Sequence, residues 1–168
     1  MSWLKKTAKR PGRMKRGAGI LFVRNHPELG SQILLLLRSP RSKHGNTWGV
    51  PGGKSEPGES LHGTAIRETI EEAGEVPAHR AIGSHDYSDP EGHLRFRTFI
   101  YKLLDADWEP TLNWEHSDAK WFSLQEAGEL DLHFCIKQLV DDLGDGVFGD
   151  KGKCLDSSEP FKRSMDYS

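Results

Sequence analysis

Cysteine is scarce in this chain. Among 168 residues only Cys135 and Cys154 occur, far apart and without metal-ligand spacing. That argues against a disulfide-stapled scaffold or a thiolate metal site and favours free thiols in a reducing compartment. No apolar run approaches the roughly 20 residues of a membrane span. The N-terminus lacks the apolar segment of a secretory signal. Acid is absent from the first sixteen residues, which carry Lys5, Lys6, Lys9, Arg10, Arg13, Lys15 and Arg16. No internal repeat is visible. The net charge of −2 gives no strong overall attraction to nucleic acid, and a hydrophobic content of 35% allows only a modest core with many loops. The expectation is one soluble, intracellular, cytoplasmic domain without a membrane partner. Its oligomeric state is not legible.

What the chain does have is glutamate at defined spacings. Gly53 to Glu75 reads GKSEPGESLHGTAIRETIEEAGE. Lys54–Ser60 has loop chemistry, with a turn at Pro57-Gly58. Ser60 suits a helix N-cap and Gly74 a C-cap, which predicts a helix over 61–73. At roughly 100° per residue, Ala65, Ile66, Thr69, Ile70 and Ala73 form an apolar face that should anchor the helix. Glu68, Glu71 and Glu72 share a neighbouring face with Arg67 at its edge. Three carboxylates at i, i+3 and i+4 repel one another and raise one another's pKa unless a cation sits among them. An all-carboxylate set without His or Cys selects Mg²⁺ or Mn²⁺ over Zn²⁺, and such ions bridge to substrate phosphates.

The spacing Gly53, five residues, Glu59, seven residues, then Arg67-Glu68-x-x-Glu71-Glu72-x-Gly74 resembles the signature of the Nudix hydrolases. Every charged and glycine position of that signature is filled. Two apolar positions depart: Thr69 follows Arg67-Glu68, and Glu75 follows Gly74, where Val76 takes the packing role. The upstream Trp48-Gly49-Val50-Pro51-Gly52-Gly53 is similar to the same family. The resemblance covers about residues 17–143 and implies an α/β/α sandwich with a mixed sheet between helices. It implies metal-dependent hydrolysis of a nucleoside diphosphate linked to another moiety, by water attack on phosphorus. It also implies that Glu71 and Glu72 are the principal metal ligands. Glu68 becomes a further ligand or the group that orients water, and Glu59 the holder of a second metal. Gly52 or Gly53 would offer a backbone carbonyl, and Arg67 would hold Glu71 at i+4. Such sites recruit one more glutamate from a later loop. Glu115 is the candidate, as general base or extra ligand, and Glu68 competes with it for the role of base. His116 beside it reads as a loop residue.

Around this stretch, 17–24 and 31–38 read as strands joined by a turn at 26–30, with Ile33 to Leu37 covered on both faces. After the helix come a strand over 81–87, a tight turn at 89–92 and an alternating strand over 93–104. Leu94, Phe96 and Ile100 point one way; Arg95, Arg97, Phe99 and Tyr101 point the other. Arg95 and Arg97 are thus candidates to meet substrate phosphate, and Trp114, Tyr87 and Phe99 to stack on a base. A short strand at 119–123, a turn or short helix at 124–130 and a helix over 132–143 with Ile136, Leu139, Val140 and Leu143 inward complete the domain. Residues 1–16 read as a basic flexible arm: a solvated tail, a nucleic-acid or acidic-surface contact, or an organelle transit segment. Residues 144–168 read as a flexible tail or extension.

Substrate choice is thinly encoded. A small domain without specificity modules favours a house-cleaning (d)NTP pyrophosphohydrolase. ADP-ribose or another nucleotide sugar, and a dinucleoside polyphosphate, are the alternatives. A Nudix-fold RNA-binding or sensor module is a further one.

Overall fold

The computed structural model describes residues 12–144. Most of the basic arm and all but the first residue of the C-terminal extension lie outside that range. Ten elements follow in order: β1 (Lys15–His26), β2 (Gly30–Arg38), β3 (Trp48–Gly49), β4 (Gly52–Lys54), α1 (Leu61–Ala73), β5 (His79–Ser88), β6 (Leu94–Leu103), β7 (His116–Phe122), α2 (Leu124–Gly128) and α3 (Phe134–Gly144). The strands form one mixed sheet in the order β3-β2-β1-β6-β5, with β4 on β1 and β7 on β2. β1 runs parallel to β6; the other pairs are antiparallel. This is the mixed sheet between helices that the sequence predicts.

The alternation of side chains explains the two layers. In β1 and β2, Leu21, Val23, Ile33 and Leu35 join one core with α2 and α3. Ala18, Ile20, Phe22, Leu34 and Leu36 join a second core that packs against α1. Each fully buried leucine or isoleucine contributes about 1.5–3 kcal/mol. β6 divides as expected, with Leu94, Phe96 and Ile100 in the first core and Phe99 and Tyr101 in the second. In α3, Ile136, Leu139, Val140 and Leu143 are all buried. A capping box between Ser123 and Glu126 starts α2.

Four differences from the sequence reading bear on the site. β1 begins at Lys15, inside the segment read as an arm, because Lys15 and Arg16 pair with Leu94 and Arg95 of β6. The glycines at 52 and 53 belong to a short strand, since their lack of side chains lets β4 lie against Gly17, Ala18 and Gly19. His116 starts β7 and is buried, rather than lying in a loop. In α1 the buried residues are Thr64, Ala65, Thr69, Glu72 and Ala73, while Ile70 is 50% exposed. The helix is therefore rotated from the expected apolar face toward its acidic one.

Candidate active site

The start of α1 is fixed by Ser60, whose hydroxyl accepts from the Gly63 N–H at 3.0 Å. Its end is fixed by Gly74 at φ 93°, whose N–H donates to the Ile70 carbonyl. Only glycine adopts that left-handed conformation at little cost. The helix so placed turns its carboxylates toward β4 and the end of the loop that precedes β7.

Arg67 is the cation of the site. Its Nε donates to Glu59 Oε2 at 2.8 Å and its Nη2 to Glu59 Oε1 at 2.9 Å, a two-pronged grip. Nη1 donates to Glu68 Oε1 at 2.8 Å, and Nη2 also reaches the Lys54 carbonyl at 3.1 Å. The guanidinium pKa is raised, chiefly by the hydrogen bonds to Glu59. Glu71, the expected i+4 partner, stands farther off at 3.5 Å with its side chain 52% exposed. Arg67 thus holds Glu59 and Glu68 foremost, and Glu71 only at its margin. Hydrogen bonds from Arg67 and then from the Thr64 hydroxyl lower the Glu59 carboxyl to about 2.

Glu72 has the opposite surroundings. It is 1% exposed, and its Oε2 accepts from the Gly52 N–H at 2.7 Å. Burial pushes its pKa up to about 9, against the pull of that N–H, and a hydrogen bond to Glu115 together with the charges of Glu68 and Glu115 adds to the rise. Glu68 is also raised, mainly by burial, with Arg67 opposing and Glu71 and Glu115 reinforcing. Gly53 lies directly beneath Glu68. A Cβ built there would sit 2.5 Å from the Glu68 carboxyl carbon, so no side chain fits.

Glu115 reaches this cluster from its loop. That loop is tied to the end of β2 by Ser39, whose N–H donates to the Glu115 carbonyl at 2.8 Å and whose hydroxyl donates to the Trp114 carbonyl at 2.7 Å. Glu59, Arg67, Glu68, Glu72, Gly53 and Glu115 are thereby gathered, with Glu71 on the open side. Among the described residues, no three carboxylate, imidazole or thiol groups stand in ligating geometry. Arg67 draws Glu59 and Glu68 to itself, and Glu72 is engaged by Gly52. The donors nonetheless suit a hard divalent cation: all are oxygen, and two carboxyls share a hydrogen bond in a desolvated place where a cation would replace the proton.

Beside the carboxylates opens a groove of about 510 Å³ that includes Gly52 and Gly53. Lys15, Arg16, Arg38, Lys43 and Lys54 line it. His44, His133 and Phe134 form an aromatic wall, with ring centroids 4.2 Å apart for His133 and Phe134 and 5.0 Å for His44 and His133. Burial lowers the His133 pKa to about 4. His44 and Asn46, in the loop that carries this wall, have φ values of 58° and 61°, a strained state for residues other than glycine. The sequence reading missed these groove residues, because they come from four separate elements and from the 39–47 loop. Lys15 and Arg16 were hidden in the basic arm. Arg95 and Arg97 do not line the groove; they face a neighbouring cleft with Asp86. Trp114 is 76% exposed, and Phe99 is buried in the α1-side core.

Comparison with known proteins agrees with this arrangement. Residues 13–143 match the NUDIX domain. The chain is 32% identical over 127 residues to diphosphoinositol polyphosphate phosphohydrolase 2 of Homo sapiens, covering 73% of this chain and 64% of that protein. It is 31% identical over 125 residues to the putative 8-oxo-dGTP diphosphatase 3 of Mycobacterium tuberculosis strain H37Rv, covering 69% of this chain and 55% of that one. The chain thus spans less than two thirds of the length of these relatives. Among solved structures, the Nudix hydrolase RenU of M. smegmatis superposes with a TM-score of 0.65 at 24% identity, over 77% of this chain and 83% of that one, a likeness of fold. On the match across residues 13–143, this chain belongs to the Nudix family.

Proposed function

We propose that this protein is a metal-dependent hydrolase that cleaves a phosphoanhydride bond in a densely phosphorylated small molecule, of the diphosphoinositol polyphosphate kind. The observation that carries the reading is the groove itself: five lysine and arginine residues from β1, β2, β4 and the 39–47 loop line it beside the buried carboxylates. Such a surface matches many phosphates on one small body, and relatives at 32% identity carry that activity in their names.

A divalent cation of the Mg²⁺ or Mn²⁺ type, when bound, neutralises phosphate oxygens and lowers the pKa of water. Glu72 and Glu71 are the ligands we assign to it, with Glu59 held ready by Arg67 and the Gly53 carbonyl nearby. Glu68 is partly open and disposed to hold a proton, which suits a general base. Glu115 caps Glu72 and orients it.

A nucleoside triphosphate, expected from the sequence, is the second reading. The wall of His133 and Phe134 favours it by offering a surface for a base. The deciding experiment is a panel of diphosphoinositol polyphosphates, dGTP and 8-oxo-dGTP with Mg²⁺ or Mn²⁺, with products identified. Lys43→Glu should raise KM for the inositol substrates more than for dGTP. Higher kcat/KM for the nucleotides would select the second reading. No turnover of any phosphoanhydride would sink both.

A further inference from the structure

Among the described residues, only three buried side-chain polar atoms lack a hydrogen-bond partner, and two of them are the ring nitrogens of His116. The residue is 4% exposed. Burial, and then the charge of Arg38, lowers its pKa to about 4. The ring is therefore neutral and carries one donor and one acceptor, both idle. Buried polar groups are seldom left in that state, and each such case has a local reason.

A change of register places His116 there. Along the β2–β7 ladder Leu36 faces Ala119 and Leu37 faces Asp118, a sequence that would set Ser117 opposite Arg38. The register shifts at that point, and His116 faces Arg38 instead. Bulges of this kind re-aim side chains beside functional sites. Residues directly opposite in a ladder have their Cβ atoms about 5 Å apart on one face, well within the length of an arginine.

Arg38 is half-buried and lines the groove. Its N–H donates to the Thr47 carbonyl and its own carbonyl accepts from the Asn46 N–H, both at 2.9 Å, so its backbone is fixed. Its Nε donates to the Lys43 carbonyl at 2.8 Å. Among the described residues no carboxylate pairs with it, and its two Nη groups have no partner. A guanidinium N–H and an imidazole lone pair thus stand idle on facing residues, although each could satisfy the other. The bond to Lys43 holds them apart.

We propose that His116 is a positioning residue for Arg38, and that the arginine has two seats. In the outer seat, the one described, Nε holds the Lys43 carbonyl. In the inner seat the side chain releases Lys43 and donates an Nη–H to the His116 ring. An anion in the groove selects the outer seat, where the donors of the guanidinium are uncommitted. His116 therefore draws Arg38 away from the substrate and sets how tightly the groove holds phosphate. This role rests on the groove being the seat of the substrate's phosphates, whichever substrate that is.

The test is calorimetric titration of the full chain with inorganic pyrophosphate in metal-free buffer. His116→Leu removes the inner seat and should tighten binding about 3–10-fold. His116→Gln, which keeps a donor and an acceptor, should stay near wild type. In turnover with Mg²⁺ the effect of His116→Leu should fall on KM and not on kcat, a split that damage to the fold would not produce. Should His116→Leu fail to fold, nitrogen NMR of the His116 ring decides. Its signals should move when pyrophosphate is added to the wild type, and in Arg38→Ala they should already stand at the ligand-bound position. Unchanged or weaker binding by His116→Leu would overturn the role. So would His116→Gln behaving as His116→Leu does, or ring signals indifferent to both pyrophosphate and Arg38→Ala. Failure of the groove reading is distinct: Arg38→Ala then leaves the affinity for pyrophosphate unchanged, and both fall together.

Discussion

Glu59, just before α1, and Glu72, in its last turn, carry the same side chain, yet their carboxyls are driven in opposite directions. Glu59 falls to about 2 because Arg67 and Thr64 hold it from both sides. Glu72 rises to about 9 because it is buried and its neighbours are a backbone N–H and another acid. The protein supplies a resident cation to one carboxylate and withholds it from the other. A carboxylate already paired positions the loop; one left desolvated among other acids is suited to a cation from outside.

The largest effect should come from removing the second kind. Glu72→Gln keeps the acceptor for Gly52 but loses the charge. It should lower kcat/KM by about a hundredfold or more, with the metal-free protein at pH 8 as stable as wild type or more so. Full activity in that variant would break the contrast. Arg67→Lys strikes the first kind. A lysine cannot fork across Glu59 while reaching Glu68, so activity should fall about 10–100-fold, and the Mg²⁺ concentration for half-maximal rate should rise. Gly53→Ala places a methyl group in the Glu68 carboxyl and should cost about 1–3 kcal/mol of stability, measured by urea unfolding.

The smallest effect is the most diagnostic. Folded Glu72 binds its proton up to about 9, whereas the unfolded group releases it near 4.5. The native state therefore holds more protons across that window, and metal-free stability should fall as pH rises from 6.5 to 9. Saturating Mg²⁺, or Glu72→Gln, should flatten the slope in thermal melts. His116 and His133 act with the other sign. Burial lowers both to about 4 from 6.5, so their contribution is lost as pH falls through that lower range. A metal-free protein whose stability does not decline above pH 6.5 would count against the assignment of Glu72.

How much of this could be read from the chain depends on the range of the contacts. The limits of α1 were legible to the residue, because Ser60 and Gly74 act locally. So were the two-sided strands, because period-two alternation survives wherever both faces are covered. The rotation of α1 was not. A pattern argument sends charge to solvent and isoleucine inward, but Glu72 goes in to meet Gly52 and Ile70 is left half exposed. Arg67 was read as a partner for Glu71, four residues on; its grip on Glu59 spans a turn the spacing could not describe. The groove was invisible, since Lys15, Arg38, Lys54 and His133 meet only once the strand order is known.

Ser39 closes the loop that carries Glu115 onto the end of β2 with both its backbone N–H and its hydroxyl. The same residue opens the 39–47 segment that supplies Lys43 and His44 to the groove. One serine is therefore the seam between the wall of the groove and the carboxylate cluster. Lengthening or shortening that segment to admit a new ligand pulls on Glu115 at once. Variation in specificity should enter this scaffold through point substitutions on the groove walls, with insertions confined to the far side of that seam.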